Sequence, residues 1–156
     1  MNIFVLDRDP KIAAEFHCDK HVVKMAVEYA QILSVVLHLT NSTTNDYVYR
    51  MTHEHHPCVV WASESLAHWE WLWRLGHNVG NEFTRRYGEI HKSTRVLRNL
   101  PVPNRLKETK WLRDQPQAMP EELRCEDVVS AYRKFYLSEK SKFARWDYSN
   151  KPYWFN

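Results

Sequence analysis

Glycine is scarce in this chain. Only Gly76, Gly80 and Gly88 occur among its 156 residues. The phosphate-binding loops of P-loop and Rossmann proteins need closely spaced glycines, as in G-x-x-x-x-G-K-[ST] or G-x-G-x-x-G. These three positions supply neither pattern, so both nucleotide-binding classes are excluded.

Cysteine is equally sparse, and long apolar runs are absent. Cys18, Cys58 and Cys125 are odd in number, lie far apart and form no C-x-x-C pair, which excludes a disulfide framework and a paired-cysteine zinc module. No run approaches the roughly 18 apolar residues that span a bilayer, and the first ten residues lack a basic region followed by an apolar core. We therefore expect a protein of the reducing cytoplasm with no membrane partner.

Aromatic residues and histidines are abundant instead, with seven Trp, eight Tyr, six Phe and nine His. The length and the 44% hydrophobic content suit one globular domain over residues 1–156. The net charge of +3 is uneven: residues 1–90 carry 8 Lys/Arg against 11 Asp/Glu, and residues 91–156 carry 14 against 8. The basic C-terminal half favours a polyanionic partner such as nucleic acid, although moderately basic domains that bind none are equally common.

Helix-forming patterns dominate the first forty residues. A short arm or strand over Asn2–Leu6 comes first, and Asp9 then caps a helix whose first position is a proline. This first helix is predicted over Pro10–Leu39, with at most one break, and residues 40–46 end it.

A second helix is predicted over Pro57–Tyr87, with Gly88 as its left-handed C-terminal cap. Residues 89–124 are rich in proline and charge and predict a long surface crossing with one or two short turns. A third helix should begin at Glu126 or Asp127 and end near Lys142, before the aromatic tail Trp146–Phe155. The expected fold is all-α, a compact bundle of three main helices with a basic crossing and an aromatic tail.

One face of the first helix combines cations, imidazoles and a carboxylate. At 100° per residue, six polar side chains fall within one sector of about 100°: His17, Lys20, His21, Lys24, Glu28 and Gln31. Apolar residues cover the rest of this helix, so the stripe faces either a cleft or bulk water. A cleft would make the first five residues catalytic and Gln31 a binding residue for an anionic substrate. The alternative is a solvated face held by pairs such as Lys24–Glu28.

The histidine spacing also permits a metal site. Two histidines at i and i+4 are typical of zincin helices, and four residues could then serve as ligands: His17, His21, His56 and Cys58. Position 18 is Cys where zincins have the Glu that acts as general base. We therefore expect no cofactor or metal and keep this ligand set as an alternative.

The second helix repeats the polar pattern more weakly. Six residues lie close to one line along it: Glu64, His68, Trp71, Asn78, Glu82 and Arg85. Trp and Leu at helical spacing usually form core, so a structural role is the stronger interpretation of this helix. Glu82 is still the best second carboxylate, and Glu82 and Arg85 would bind substrate if this face meets the stripe.

Basic residues and a tryptophan recur in the crossing. Arg95, Arg98 and Lys110, with Trp111 among them, suit phosphate neutralisation and base stacking. His56, in the histidine-rich turn before the second helix, completes the predicted binding set. The alternative is a solvated loop.

Five strings resemble a widespread family of small phage proteins of unassigned function. They are Met1-Asn-Ile-Phe-Val-Leu-Asp-Arg-Asp-Pro10, His17-Cys-Asp-Lys-His-Val-Val-Lys-Met25, Thr52-His-Glu-His-His-Pro-Cys58, Arg86-Tyr-Gly-Glu-Ile-His-Lys-Ser93 and Ala118-Met-Pro120. More distantly, the layout is similar to the pyrimidine dimer DNA glycosylases of the phage endonuclease V type. The shared features are the N-terminal arm, a first helix with His and charged residues, the Arg86-Tyr87-Gly88 turn, the basic crossing and the aromatic tail.

The second resemblance implies an all-α enzyme whose N-terminal α-amine attacks C1′ of a damaged nucleotide and forms a Schiff base. A carboxylate on the first helix positions the sugar. An α-amine with a pKa near 8 is a usable nucleophile, and a carboxylate stabilises oxocarbenium charge. Here Asn2 is too large for ordinary removal of Met1, so Met1 itself would supply the amine. No glutamate aligns with the family's catalytic one, and Glu28 is the nearest geometric substitute.

The sequence thus predicts a phage-like DNA repair enzyme that cleaves the N-glycosidic bond of a damaged or modified base, in the host cytoplasm, with DNA as its partner. One alternative is a metal- or nucleotide-dependent hydrolase of a small phosphorylated substrate. Another is a non-enzymatic module that binds nucleic acid or a host protein. The oligomeric state stays open.

Overall fold

The computed structural model describes residues 1–43 and 47–156. In this part of the chain all regular structure is helical, which confirms the predicted all-α fold. The helices are α1 (Pro10–Phe16), α2 (Asp19–Leu39), α3 (Pro57–Ser63), α4 (Leu66–Tyr87), α5 (Lys92–Asn99) and α6 (Val128–Phe135). A 3-10 turn, Glu121–Leu123, precedes α6, and a π-helical turn, Tyr136–Lys140, follows it directly.

The first predicted helix is two helices, α1 and α2. Asp9 caps α1 as predicted and accepts a hydrogen bond from Lys11 N, and Pro10 takes the first helical position. His17 and Cys18 then have extended backbone, with ψ values of 132° and 160°. The projection at 100° per residue therefore fails between them, and His17 does not belong to the polar face of α2.

α2 is the central helix and packs against α3, α4 and α5. Its mean hydropathy of 1.5 and its length are also those of a membrane span, but 61% of that apolar window is buried inside the fold. Core helices share both properties, so this is weak evidence for a membrane. Of the turn predicted over residues 40–46, residues 44–46 lie outside the described residues.

The second predicted helix is also divided, and the prediction of one helix over Pro57–Tyr87 was wrong. Glu64 ends α3, and Ser65 has extended backbone and accepts a hydrogen bond from His68 N as the N-cap of α4. A serine N-cap ranks among the best starts for a helix, so the break has a local cause. Gly88 ends α4 at φ 73°, as predicted.

Residues 89–124 are less irregular than predicted, because they contain the eight-residue helix α5. Its apolar face includes Val96 and Leu97, both buried against the core. The third predicted helix begins as expected, since Asp127 caps α6 and accepts from Ser130 N. It does not continue as an α-helix to Lys142, because the π-helical turn replaces it after residue 135.

The N-terminal arm is an extended segment threaded through the core rather than a strand. Ile3, Phe4, Val5 and Leu6 are all buried. No strand pairs with it among residues 1–43 and 47–156, and side chains bond to its backbone instead: Phe4 N donates to Tyr29 Oη, and Leu6 O accepts from Arg133 Nε at 2.9 Å. The arm therefore has a defined position relative to α2 and α6.

Candidate functional site

The α-amine of Met1 lies against the carboxylate of Glu28. The amine nitrogen is 3.6 Å from Glu28 Oε2, and the other carboxylate oxygen, Oε1, is 3.3 Å from Lys24 Nζ. The side chains of Met1 and Glu28 are 6% and 13% exposed, whereas that of Lys24 is 63% exposed. A carboxylate partly withdrawn from water thus holds the terminal amine on one side and an accessible ammonium on the other.

The residue after Met1 fixes the amine in this place. Asn2 N donates to Glu28 Oε2 at 3.1 Å, and Asn2 Nδ2 donates to Ala118 O at 2.9 Å. Tyr132 Oη lies 2.8 Å from Asn2 Oδ1 and is buried. The sequence identifies Asn2 only as a residue that prevents removal of Met1. In the structure it also anchors Met1, through contacts that residues far along the chain provide.

His17 is buried in the core and, through Tyr29, links the arm to α2. Its Nδ1 lies 2.7 Å from Ala13 O, which can only accept, so Nδ1 carries the proton. Its Nε2, 2.7 Å from Tyr29 Oη, therefore accepts from that hydroxyl, which in turn accepts from Phe4 N. Burial lowers the pKa of His17 to about 4, so the ring is neutral near pH 7. This predicted catalytic residue is a structural contact in the core.

His21 is also buried, although it belongs to α2. Its ring stacks on Phe4 at a centroid distance of 4.4 Å, and its Nδ1 is hydrogen-bonded to Tyr136 Oη. Burial, and then the positive charges around it, lower the pKa of His21 to about 2. The polar stripe of α2 is accordingly narrower than predicted. Its members are the exposed Lys20 and Lys24 and the half-buried Glu28 and Gln31.

His56 does come to the site. It is the N-cap of α3 and accepts a hydrogen bond from Cys58 N, while its ring also interacts with the Met1 carbonyl. Burial, followed by the charge of the terminal amine, lowers the pKa of His56. Cys58 is fully buried, and desolvation raises the pKa of its thiol to about 12. Cys58 is therefore a protonated core residue.

The four residues of the metal alternative do not form one ligand group in the part of the chain that the structure describes. Among residues 1–43 and 47–156, no group of three or more His, Cys, Asp or Glu side chains could hold an ion. His17 and His21 engage Tyr29 and Tyr136, and the buried thiol disfavours the thiolate that a metal would need.

Glu82 and Arg85 lie in a different cluster, centred on Arg86. Arg86 is fully buried at its side chain and bonds to Glu82 and Asp19, both at 3.0 Å. It also donates to the carbonyls of His17 and Glu15, so it ties α4 to the junction of α1 and α2. Glu82 pairs with Arg85 and Arg86, and it is not a second carboxylate for Glu28.

The remaining predicted binding residues are on the surface. Arg95 and Arg98 are exposed on α5, and Lys110 and Trp111 are exposed on the crossing, with Trp111 76% exposed. In the described part of the chain, none of the four forms a hydrogen bond or ion pair with Met1 or Glu28. They are available to a large ligand and lie outside the small amine–carboxylate cluster.

Sequence reasoning missed Arg86, Asn2, Tyr29 and Tyr132 as organising residues. The sequence gives Arg86-Tyr87-Gly88 only a family resemblance. An arginine near the C-terminus of a helix is favourable there in any case, so its presence does not predict that it binds several elements in the core. Tyr29 and Tyr132 occupy core positions by pattern, and nothing in the sequence shows that their hydroxyls meet the arm.

No family model, no curated protein and no solved structure matches this chain.

Proposed function

We propose that this protein is a DNA N-glycosylase in which the α-amine of Met1 is the nucleophile and Glu28 its catalytic carboxylate. The observation that carries the proposal is the 3.6 Å separation of Met1 N and Glu28 Oε2 in a site partly withdrawn from water. An amine and a carboxylate at this distance are the two groups that glycosidic displacement at C1′ requires.

The chemistry follows from those two groups. The uncharged amine attacks C1′, the new C–N bond forms as the glycosidic bond breaks, and the base leaves with the bonding electron pair. Glu28 stabilises the positive charge that develops on the sugar and accepts a proton from the amine nitrogen. Opening of the sugar ring then gives a Schiff base between Met1 and the DNA.

A DNA duplex is large enough to contact exposed groups elsewhere on the surface as well as the site. A base inside a duplex must be flipped out at a cost of a few kcal/mol, which aromatic stacking and phosphate contacts offset. The exposed Trp111 and Lys110 on the crossing and the exposed Arg95 and Arg98 on α5 offer such contacts.

Borohydride trapping on duplex DNA with an abasic site, together with base release from ultraviolet-damaged duplex, tests the proposal. Borohydride reduces the Schiff base to a stable secondary amine, so the wild-type protein should form a covalent adduct that peptide mapping assigns to Met1. Glu28→Gln should reduce the trapping rate by about 100-fold or more, as expected when a catalytic proton acceptor is lost. Glu70→Gln, which removes an exposed carboxylate of α4, should trap like the wild type.

Three outcomes would overturn the proposal. An adduct on Lys24 would show that the nucleophile is the Lys24 amine and not the α-amine of Met1. On ultraviolet-damaged duplex, which still carries its damaged bases, base release without any adduct would instead support hydrolysis by water activated by Glu28. Binding of abasic DNA without an adduct, together with no base release from the ultraviolet-damaged duplex, would favour the non-enzymatic DNA-binding alternative.

A further inference from the structure

Three lysines converge above His21, next to the amine–carboxylate pair. Lys20 and Lys24 come from α2, and Lys140 comes from the π-helical turn 116 residues further along the chain. The charges of all three act on the His21 ring. We call Lys20, Lys24 and Lys140 the lysine cluster.

Aromatic rings form a platform beneath the lysine cluster. Lys20 Nζ lies 4.7 Å from the ring centroid of Phe143, and Lys140 Nζ lies 4.4 Å from that of Phe135. Both ammonium groups are therefore directed by cation–π contacts to the surface around His21.

The cluster holds more positive charge than its neighbours neutralise. Within residues 1–43 and 47–156, Lys24 is paired with Glu28, and neither Lys20 nor Lys140 has a carboxylate within 4.0 Å. Lys140 is half-buried, and burial together with the charge of Lys24 lowers its pKa, against a smaller opposing effect of the neighbouring Glu139 carboxylate. Like charges held together disfavour the unliganded state, and an anion bound among them removes that cost.

The π-helical turn is what places Lys140 there. The turn begins at Tyr136, whose hydroxyl is bonded to His21, and it ends at Lys140. π-helical turns are rare and are frequently found at functional sites. Continuing α6 with regular α-helical geometry would turn residue 140 to a different side of the helix.

We propose that the lysine cluster binds a phosphate of the DNA backbone next to the nucleotide that Met1 attacks. The inference rests on the proposed function and adds its substrate contact. Glu28 joins the two sites, because one carboxylate oxygen faces Lys24 and the other faces the Met1 amine. Lys20 and Lys24 are thus phosphate-binding residues rather than proton-transfer groups.

The test measures affinity for a duplex with a tetrahydrofuran abasic-site analogue at several salt concentrations. The double variant Lys20→Ala/Lys140→Ala should bind about 10-fold more weakly near 0.1 M salt. Its slope of log affinity against log salt should be smaller by about one to two, since each lost phosphate contact lowers the slope by about one. The control Lys142→Ala/Lys151→Ala removes the same charge from exposed positions and should keep the wild-type slope. Equal slopes for the two double variants would overturn the proposal.

A second measurement identifies the backbone as the source of the phosphate. Replacing the phosphodiesters that flank the analogue by uncharged methylphosphonates should weaken binding of the wild type and leave the Lys20→Ala/Lys140→Ala variant almost unaffected. If the neutral linkages weaken both proteins equally, the lysines do not contact those phosphates. Inorganic phosphate that competes with the unmodified duplex only at non-physiological concentrations would agree with the backbone, whereas tight competition would indicate a small phosphorylated ligand and overturn the assignment to DNA.

Failure of this inference is distinguishable from failure of the proposed function. If the wild type is trapped on abasic DNA while both double variants bind alike, the amine mechanism is supported and the phosphate-binding role of the lysine cluster is overturned. If the wild type is never trapped but shows the predicted salt and methylphosphonate effects, the phosphate site is supported and the proposed glycosylase mechanism is overturned.

Discussion

The side chains of His17 and Tyr29 hold the N-terminal arm in its position relative to Glu28. Tyr29 follows Glu28 directly on α2, and its hydroxyl connects Phe4 of the arm with His17 at the end of α1. The distance between Met1 and Glu28 therefore depends on a hydrogen-bonded chain that lies wholly in the core. A change at this chain should alter both stability and activity.

Tyr29→Phe removes the hydroxyl while keeping the ring. Phe4 N and His17 Nε2 then lose their partner in a buried place, which should lower the free energy of unfolding by about 1–3 kcal/mol. The arm should also loosen, so borohydride trapping should slow even under conditions where the variant is fully folded. Tyr148→Phe, at a side chain that is 57% exposed, is the matched control and should change neither urea unfolding nor trapping.

Arg86 connects α4 with the junction of α1 and α2, so its loss should affect the stability of the whole fold. Arg86→Met leaves Asp19 and Glu82 without their buried counter-charge, which should cost about 3–5 kcal/mol in urea unfolding. Arg85→Met removes a guanidinium from the same Glu82, but from a side chain that is 54% exposed, and should cost about 1 kcal/mol or less. Equal losses for both variants would contradict the role of Arg86 as the hub of the α1–α2 junction.

At the scale of elements, the sequence was informative where a local signal exists. Asp9, Gly88 and Asp127 mark helix ends as predicted, because capping depends on residues next to one another. The break at His17 has no such signal, since Cys18 provides no side-chain cap to α2. It depends on Arg86 and on Asp147 N, which donates to Asp19 Oδ2 from 128 residues away.

The candidate site shows the same division. Lys20, Lys24 and Glu28 lie on one face because helical periodicity sets it, so their proximity could be predicted. The approach of Met1 to Glu28 depends on how the arm threads the core, and only a family resemblance suggested it. The position of Lys140 could not be predicted, because neither the π-helical turn nor its contact with α2 through Tyr136 and His21 follows from local spacing.

The packing of α5 on α4 offers a test at this scale. A Cβ added at Gly80 would lie 2.5 Å from Thr94 Oγ1, so the two helices approach more closely than alanine allows. Gly80→Ala should therefore destabilise the fold by about 1–3 kcal/mol through displacement of α5, despite the better helix propensity of alanine. Asn81→Ala changes an exposed neighbour on the same helix and should be neutral in thermal unfolding. A Gly80→Ala variant that is more stable than the wild type would show that α5 can move away from α4 without loss of stability.

At the scale of the whole molecule, the buried histidines make folding sensitive to acid. His17 and His21 are neutral in the core because burial lowers their pKa values to about 4 and about 2, whereas a histidine in the unfolded chain has a pKa near 6.5. The unfolded state therefore takes up protons below pH 6.5 that the folded state refuses. The contribution of the two neutral rings to the free energy of unfolding is fully present above that pH and is lost progressively as the pH falls toward 4.

Urea unfolding at a series of pH values checks this expectation. Between pH 6.5 and about 4, the free energy of unfolding should fall by roughly 1.4 kcal/mol per pH unit for each histidine that stays neutral in the fold. His17→Gln should be less stable at pH 7 and show a shallower fall, because one of the histidines that stay neutral in the fold is gone. His55→Gln, at a side chain that is 94% exposed, should follow the wild-type profile. A flat profile from pH 6.5 to 4.5 would mean that the rings accept protons inside the fold, and the hydrogen-bonded chain from His17 to Phe4 would then require a different proton assignment.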